Sequence, residues 1–228
     1  MRDSSLEMHA YYAERAPYYD AVYLKPERQS DIEFLSNHLP EQLSGRDVLE
    51  IACGTGYWTQ HIAKSARSVL ATDGTAQPLE FAKLRPRHRC NVKFLLANAY
   101  SLTSELGRFN ACFAGLWFSH IPVGSRAAFL SGLNQRLTPG SKVIFIDNNQ
   151  TQLRDFPIAE TDSDGNTYQH RSLKDGSVHR VLKNFPTQQD LLQLVSPFAT
   201  QLHWRELSNF WLFDYVFTGA AFQETHRK

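Results

Sequence analysis

A chain of 228 residues with 42% hydrophobic and 21% charged side chains suits one α/β domain with a cap, and can bury a sizeable core. Its 24 lysines and arginines nearly balance 23 acids, so no electrostatic stripe argues for DNA or a large RNA as partner. No run approaches the ~18 apolar residues of a membrane span, the first residues lack a secretory apolar core, and Cys53, Cys90 and Cys112 lack CxxC spacing, which suits a reducing cytoplasm without a metal site.

Residues 11–23 carry five tyrosines, Tyr11, Tyr12, Tyr18, Tyr19 and Tyr23, too many for an ordinary surface helix. Tyrosine joins apolar area to a hydroxyl, which suits either a pocket wall or a helix packed on the core. Then comes Val48-Leu49-Glu50-Ile51-Ala52-Cys53-Gly54-Thr55-Gly56, a buried strand breaking into a turn of small residues at alternate positions. Missing side chains let backbone N–H groups touch a ligand, and the helix expected over 57–66 points its positive end at it. A dinucleotide fingerprint needs a third glycine where Thr59 stands, so a pyrophosphate is not the expected guest. Ala52 costs little in this turn provided its φ is negative.

Further strands are expected at 68–72, 92–96, 111–116 and 142–146, with helical stretches between them such as 127–137, closed by the turn signal Thr138-Pro139-Gly140. That alternation predicts a mostly parallel sheet flanked by helices. Residues 167–171 and 178–182 flank an Asp-Gly turn and read as a β-hairpin insertion within 151–186. Thr187 with Asp190 caps a helix running to about Val195, and 200–206 with 210–217 form a terminal pair of strands. Asp73 ends the second strand, 23 positions beyond Glu50, where a carboxylate can accept two hydrogen bonds from a ribose diol.

The Glu50–Gly56 run resembles the first motif of the class I S-adenosylmethionine-dependent methyltransferases. The resemblance implies an α/β, Rossmann-like, seven-stranded mostly parallel sheet with a terminal antiparallel hairpin. Around it stand an N-terminal helical lid (1–44), a cofactor-binding core (45–150), the hairpin insertion (151–186) and a C-terminal helix and hairpin (187–228), all in one domain. It assigns S-adenosyl-L-methionine to Tyr19, Glu50, Ala52, Cys53, Gly54, Gly56, Trp58, Asp73, Gly74, Asn98, Ala99 and Trp117. Glu50 would hold the positive end of the cofactor, and the Asn98 amide oxygen would accept the adenine amino group in place of the family's aspartate. After the fourth strand, Trp117 and Phe118 would wall the methyl-transfer face. His120, Asp147 and the lid residue Tyr12 are the candidate catalytic groups, although His120 reads equally as a histidine at a helix start.

An Asn/Asp-Pro-Pro-aromatic signature is absent, which argues against exocyclic amines of nucleobases. The expected acceptor is a small, aromatic or heteroaromatic metabolite. A protein or RNA methyltransferase with an open basic groove, and a non-catalytic cofactor-binding module, stand as alternatives. His170, Arg171, His179 and Arg180 alternate on the hairpin as any exposed hairpin allows, and no metal is expected there. A monomer and a homodimer both remain open.

Overall fold

Val48, Leu49 and Ile51 in β1 (Asp47–Ile51) are fully buried, and so are Cys112 and Phe113 in β4 (Phe109–Gly115), because both faces of these strands meet helices. Apolar residues therefore run almost without interruption along each central strand. A computed structural model describes residues 4–86 and 91–220. Cys90 lies outside the described residues.

The chain opens with helix α1 (Ser4–Arg15), a 3-10 stretch (Ala16–Tyr23) and helix α2 (Gln29–Gln42). β1 leads to α3 (Tyr57–Ile62), β2 (Ser68–Asp73), α4 (Ala76–Leu84), β3 (Asn91–Leu96) and β4. Then follow α5 (Arg126–Asn134) and the long β5 (Leu137–Asn148). β6 (Glu160–Thr161), β7 (Thr167–Ser172) and β8 (Val178–Leu182) form a separate small antiparallel sheet. α6 (Gln188–Val195), β9 (Ala199–Glu206) and β10 (Phe210–Phe217) complete the order.

The main sheet runs 3-2-1-4-5-10-9, parallel except where β10 pairs antiparallel with β5 and β9. Pairing alternates its side chains between two cores. Leu49, Cys112, Phe145 and Phe213 face one, while Val48, Phe113, Ile144 and Leu212 face the other. Each such fully buried side chain is worth about 1.5–3 kcal/mol over its exposed state.

Two helix ends differ from the sequence expectation by more than a residue or two. Helix α3 stops at Ile62 rather than near residue 66, because the Gly45 amide bonds the Ser65 carbonyl and the Ser65 hydroxyl bonds that of Pro40. These contacts turn the chain toward β2. α5 ends at Asn134, and Thr138-Pro139-Gly140 lies inside β5. There Gly140 (φ +84°) and a register shift opposite Phe109–Ala111 absorb the turn signal as a bulge. The insertion also carries a third short strand, β6.

Candidate active site

In a sheet of this order the crevice opens at the carboxyl ends of the strands, where the order reverses between β1 and β4. A cavity of about 470 Å³ lies there, within the range that holds a cofactor-sized ligand. Ala52, Gly54, Thr55, Asp73, Gly74, Asn98 and Ala99 line the side of it formed by the strand ends. Gly54 (φ +56°) lines the cavity, and a Cβ built there meets nothing within 4 Å, so its backbone is left open to a ligand. At Gly56 (φ +73°) the same atom would press to 3.0 Å from the Cβ of Ala82, so this glycine lets α4 approach the turn. Ala52 has φ +53°, which corrects the expectation of an unstrained alanine. A left-handed L-residue costs about 1–2 kcal/mol, and strain of this kind gathers at functional turns.

Asp73 closes the turn on itself. Its Oδ2 accepts the Gly54 amide and its Oδ1 the Thr75 amide, both at 2.8 Å. Burial raises its carboxyl, and the two amides and nearby His9 oppose that rise. One lone pair on each oxygen remains for a ligand. The Oδ1 of Asn98 accepts the Tyr100 amide at 2.9 Å, so one of its two lone pairs is already committed.

Met8, His9, Tyr12, Ala16 and Tyr19 roof the cavity. The roof is held at two places. Tyr11, 2% exposed, packs with Met8 against Tyr168, Leu173, Val181 and Leu182, which seats α1 on the insertion sheet. Below it, Asp20 accepts the Thr55 hydroxyl at 2.5 Å and pairs with Arg85, whose Nε also bonds the Thr55 carbonyl at 2.6 Å. The lid is thus latched directly to the glycine turn.

Tyr12 and His120 meet at 2.9 Å between hydroxyl and Nε2. The Nδ1 of His120 lies 2.5 Å from the carbonyl of Leu182 and donates to it, which leaves Nε2 as a lone pair facing the tyrosine hydroxyl. Burial, then the charges of Lys183 and Arg171, push His120 down to about 3, so the imidazole is neutral at ordinary pH. Burial likewise raises the Tyr12 hydroxyl well above its usual range. The pair is a neutral hydrogen-bonded unit.

Asp147 does not line the cavity. It is fully buried and accepts four bonds: from the Ser119 amide (2.9 Å), the Asn148 amide (2.8 Å), the Asn148 side chain (3.5 Å) and Lys183 Nζ (2.7 Å). Burial opposes its ionisation most strongly, but the Lys183 charge, His120 and the hydrogen bonds from Lys183 and Ser119 together outweigh it and hold the carboxyl below its usual range. Burial lowers Lys183 to about 8, which leaves it protonated at neutral pH.

Glu50, Cys53, Gly56 and Trp58 also stand outside the cavity lining. Glu50 is 1% exposed with Oε2 unpartnered, and burial lifts it to about 8. The thiol of Cys53 is raised by burial, and Trp58 packs edge-on to Tyr23 and Phe113 behind the turn. Tyr19 and Trp117 do line the cavity. On the hairpin, His170 and Arg180 share Glu160 and His179 meets Ser177.

Local sequence gave no sign of several lining residues. Met8, His9 and Leu182 reach the cavity only because α1 lies across β8. Leu116 (φ +57°) lines both this cavity and a second, adjoining pocket of about 170 Å³ that also touches Tyr12, Tyr19 and His120. A left-handed non-glycine residue between two pockets is the kind of signal that only coordinates disclose.

The sheet order, the glycine turn followed by Asp73, and the roofing helix together define a Rossmann-like methyltransferase. Residues 48–140 match the methyltransferase domain family. A demethylmenaquinone methyltransferase of Lactococcus lactis is 30% identical over 116 residues, 49% of this chain and 45% of that protein. Its counterpart in Staphylococcus saprophyticus is 26% identical over 110 residues, 47% of this chain and 46% of that protein. The chain thus spans about half the length of the curated relatives it matches. Likeness to solved structures extends further. DhpI in complex with SAH superposes with a TM-score of 0.74 at 27% identity, covering 92% of this chain and 95% of that one. The DhpI-SAM-HEP complex gives 0.76 at 26% identity, covering 94% and 98%. Residues 48–140 thus match a methyltransferase domain, and the fold as a whole is similar to that of S-adenosylmethionine-dependent methyltransferases.

Proposed function

We propose that this protein transfers a methyl group from S-adenosylmethionine to a small molecule enclosed beneath the lid. The observation that carries the reading is the continuity of the nucleoside cradle with a second pocket through Tyr12, Tyr19, Leu116 and His120. The residues present fit the cofactor. Gly54 leaves its Cβ direction open, Asp73 keeps one lone pair per oxygen for a ribose diol, and Asn98 keeps one for an adenine amino group. When bound, the cofactor supplies a methyl group on a sulfonium, already activated for transfer to an aligned nucleophile.

The chain's own work is then orientation and exclusion of water. Tyr12 and His120 position the acceptor at the junction of the two pockets, and Asp147 acts through Lys183. A neutral imidazole near pKa 3 is a weak base, so His120 favours acceptors that need no strong base. The lid rings of Tyr12 and Tyr19 support an acceptor with apolar or aromatic surface. A roofed cavity favours a small molecule over a protein or RNA, and no helix among the described residues is long and apolar enough to cross a membrane.

Isothermal titration with S-adenosylmethionine and S-adenosylhomocysteine tests the cofactor reading, and absence of binding by both at millimolar concentration refutes it. Transfer of radiolabelled methyl to a metabolite extract separates an enzyme from a non-catalytic binding module.

A further inference from the structure

The second pocket has an unusual charge balance. Arg15, Lys25, Arg28, Arg171 and Lys183 line it, with Asp155 as its lining carboxylate and Asp147 behind Lys183. Lys25 takes Asp155 at 2.6 Å, Arg28 reaches the same carboxylate only at 3.9 Å, and Lys183 takes Asp147. Arg171 has no carboxylate partner among the described residues. It is 4% exposed, and the amide oxygen of Gln169, at 2.7 Å from Nη2 and 3.1 Å from Nε, is its recorded hydrogen-bond partner. The Nε of Arg28 is buried without a partner as well. A buried guanidinium left without a counter-charge is costly unless a ligand supplies one.

A second, independent feature lies beside these cations. Asn148 and Gln152 also line the pocket, and the Oδ1 of the first and the Oε1 of the second are buried acceptors without a donor among the described residues. The amide nitrogen of Asn148 points at Asp147, which fixes the orphan oxygen toward the other side. Cations alone would describe a site for a bare inorganic anion. Cations next to unsatisfied acceptors describe a ligand with an oxyanion and a hydroxyl or amine donor close together.

We propose that the second pocket is the acceptor's recognition subsite, where Arg171, Arg28 and Lys183 bind a carboxylate or phosphate while Asn148 and Gln152 receive a neighbouring hydroxyl or amine. The inference rests on the methyltransferase reading of the adjoining cavity. It deepens that reading by naming the substrate class: a small hydroxy or amino acid, or its phosphate counterpart. Planar guanidinium geometry suits either oxyanion, and the pocket's size excludes a polymer.

The test is titration of the protein saturated with S-adenosylhomocysteine, at constant ionic strength, with glycolate, acetate and inorganic phosphate, repeated on Arg171→Gln and Gln152→Leu. Saturable glycolate binding, weaker acetate binding, and at least about tenfold loss of glycolate affinity in Arg171→Gln are expected. Phosphate tighter than glycolate assigns the oxyanion as a phosphate, and the reverse order as a carboxylate. Gln152→Leu should remove the preference of glycolate over acetate. The wild type and both variants should bind S-adenosylhomocysteine alike. Failure of all three anions to bind the loaded protein, or equal binding to Arg171→Gln, overturns the proposal and leaves the methyltransferase reading standing. Failure of S-adenosylhomocysteine itself to bind overturns both.

Discussion

Replacing Asp73 by alanine should weaken S-adenosylhomocysteine binding by roughly 10- to 150-fold, the equivalent of about 1.5–3 kcal/mol for hydrogen bonds to a charged group. The structure adds a second consequence. The same carboxylate accepts the amides of Gly54 and Thr75 at 2.8 Å, so alanine also strands two backbone donors in a half-buried turn. A stranded, fully buried donor costs about 1–3 kcal/mol, and water reaching the cavity side brings the pair toward the low end, about 1 kcal/mol each. The variant should therefore lose both affinity and stability, by different amounts. Isothermal titration measures the first, and urea unfolding of the ligand-free protein the second. Comparison with Asp73→Asn separates them further, because asparagine still accepts one amide while losing the charge. An affinity within threefold of wild type, beside a clear loss of stability, would sink the ribose assignment and leave Asp73 as a turn-closing residue only.

Three other outcomes follow from the buried charges and the turn. Lys183→Met leaves Asp147 ionised without its counter-charge and should cost about 3–5 kcal/mol in urea unfolding. Adding Asp147→Asn should recover part of that loss, and a single-variant loss below about 1 kcal/mol contradicts the buried-pair reading. Glu50 titrates near 8 in the folded chain against 4.5 ordinarily, so the folded state holds the extra proton between those values. The stability this contributes is complete below pH 4.5 and is lost as pH rises through 8, with a slope of at most about 1.4 kcal/mol per unit. Unfolding free energy measured at several pH values should fall relative to Glu50→Gln across that window, and parallel curves would refute the burial argument. His120 produces an opposite trend at lower pH, where the unfolded chain binds the proton, but it is common to both proteins and cancels in the comparison. Finally, Ala52→Gly trades about 1–2 kcal/mol of left-handed strain for about 0.5–1 kcal/mol of glycine entropy, so a small rise in Tm is expected. A fall of several degrees would show that the methyl group packs usefully.

Much of the fold was legible because each signal was local. Strand β1 and its glycine turn, the hairpin at 167–182 and the Thr187–Asp190 capping box depend on neighbours a few residues away, and all appear in the structure. Asp73, Gly54 and Asn98 were legible on the same basis, since each sits at the end of a strand whose position the pattern discloses. The end of α5 was not. Proline and glycine at 139–140 signal a turn in isolation, while pairing with β4 draws them into a bulged strand.

Side chains that act across the fold belong to the tertiary structure alone. Asp147 stands at the end of a strand as a catalytic base would, yet Lys183, 36 positions away, takes it as a buried ion-pair partner. Arg171 looked like one of several alternating hairpin cations, and tertiary packing buries it beside the second pocket with no carboxylate partner among the described residues. The φ of Ala52 was likewise undetermined, because alanine by itself reports no backbone geometry. By itself the sequence determined the sheet, the turn and the family of cofactor, since short-range patterning encodes them. Only the tertiary structure decided which charges are neutralised and which are left facing the second pocket, because burial and pairing depend on residues far apart in the chain.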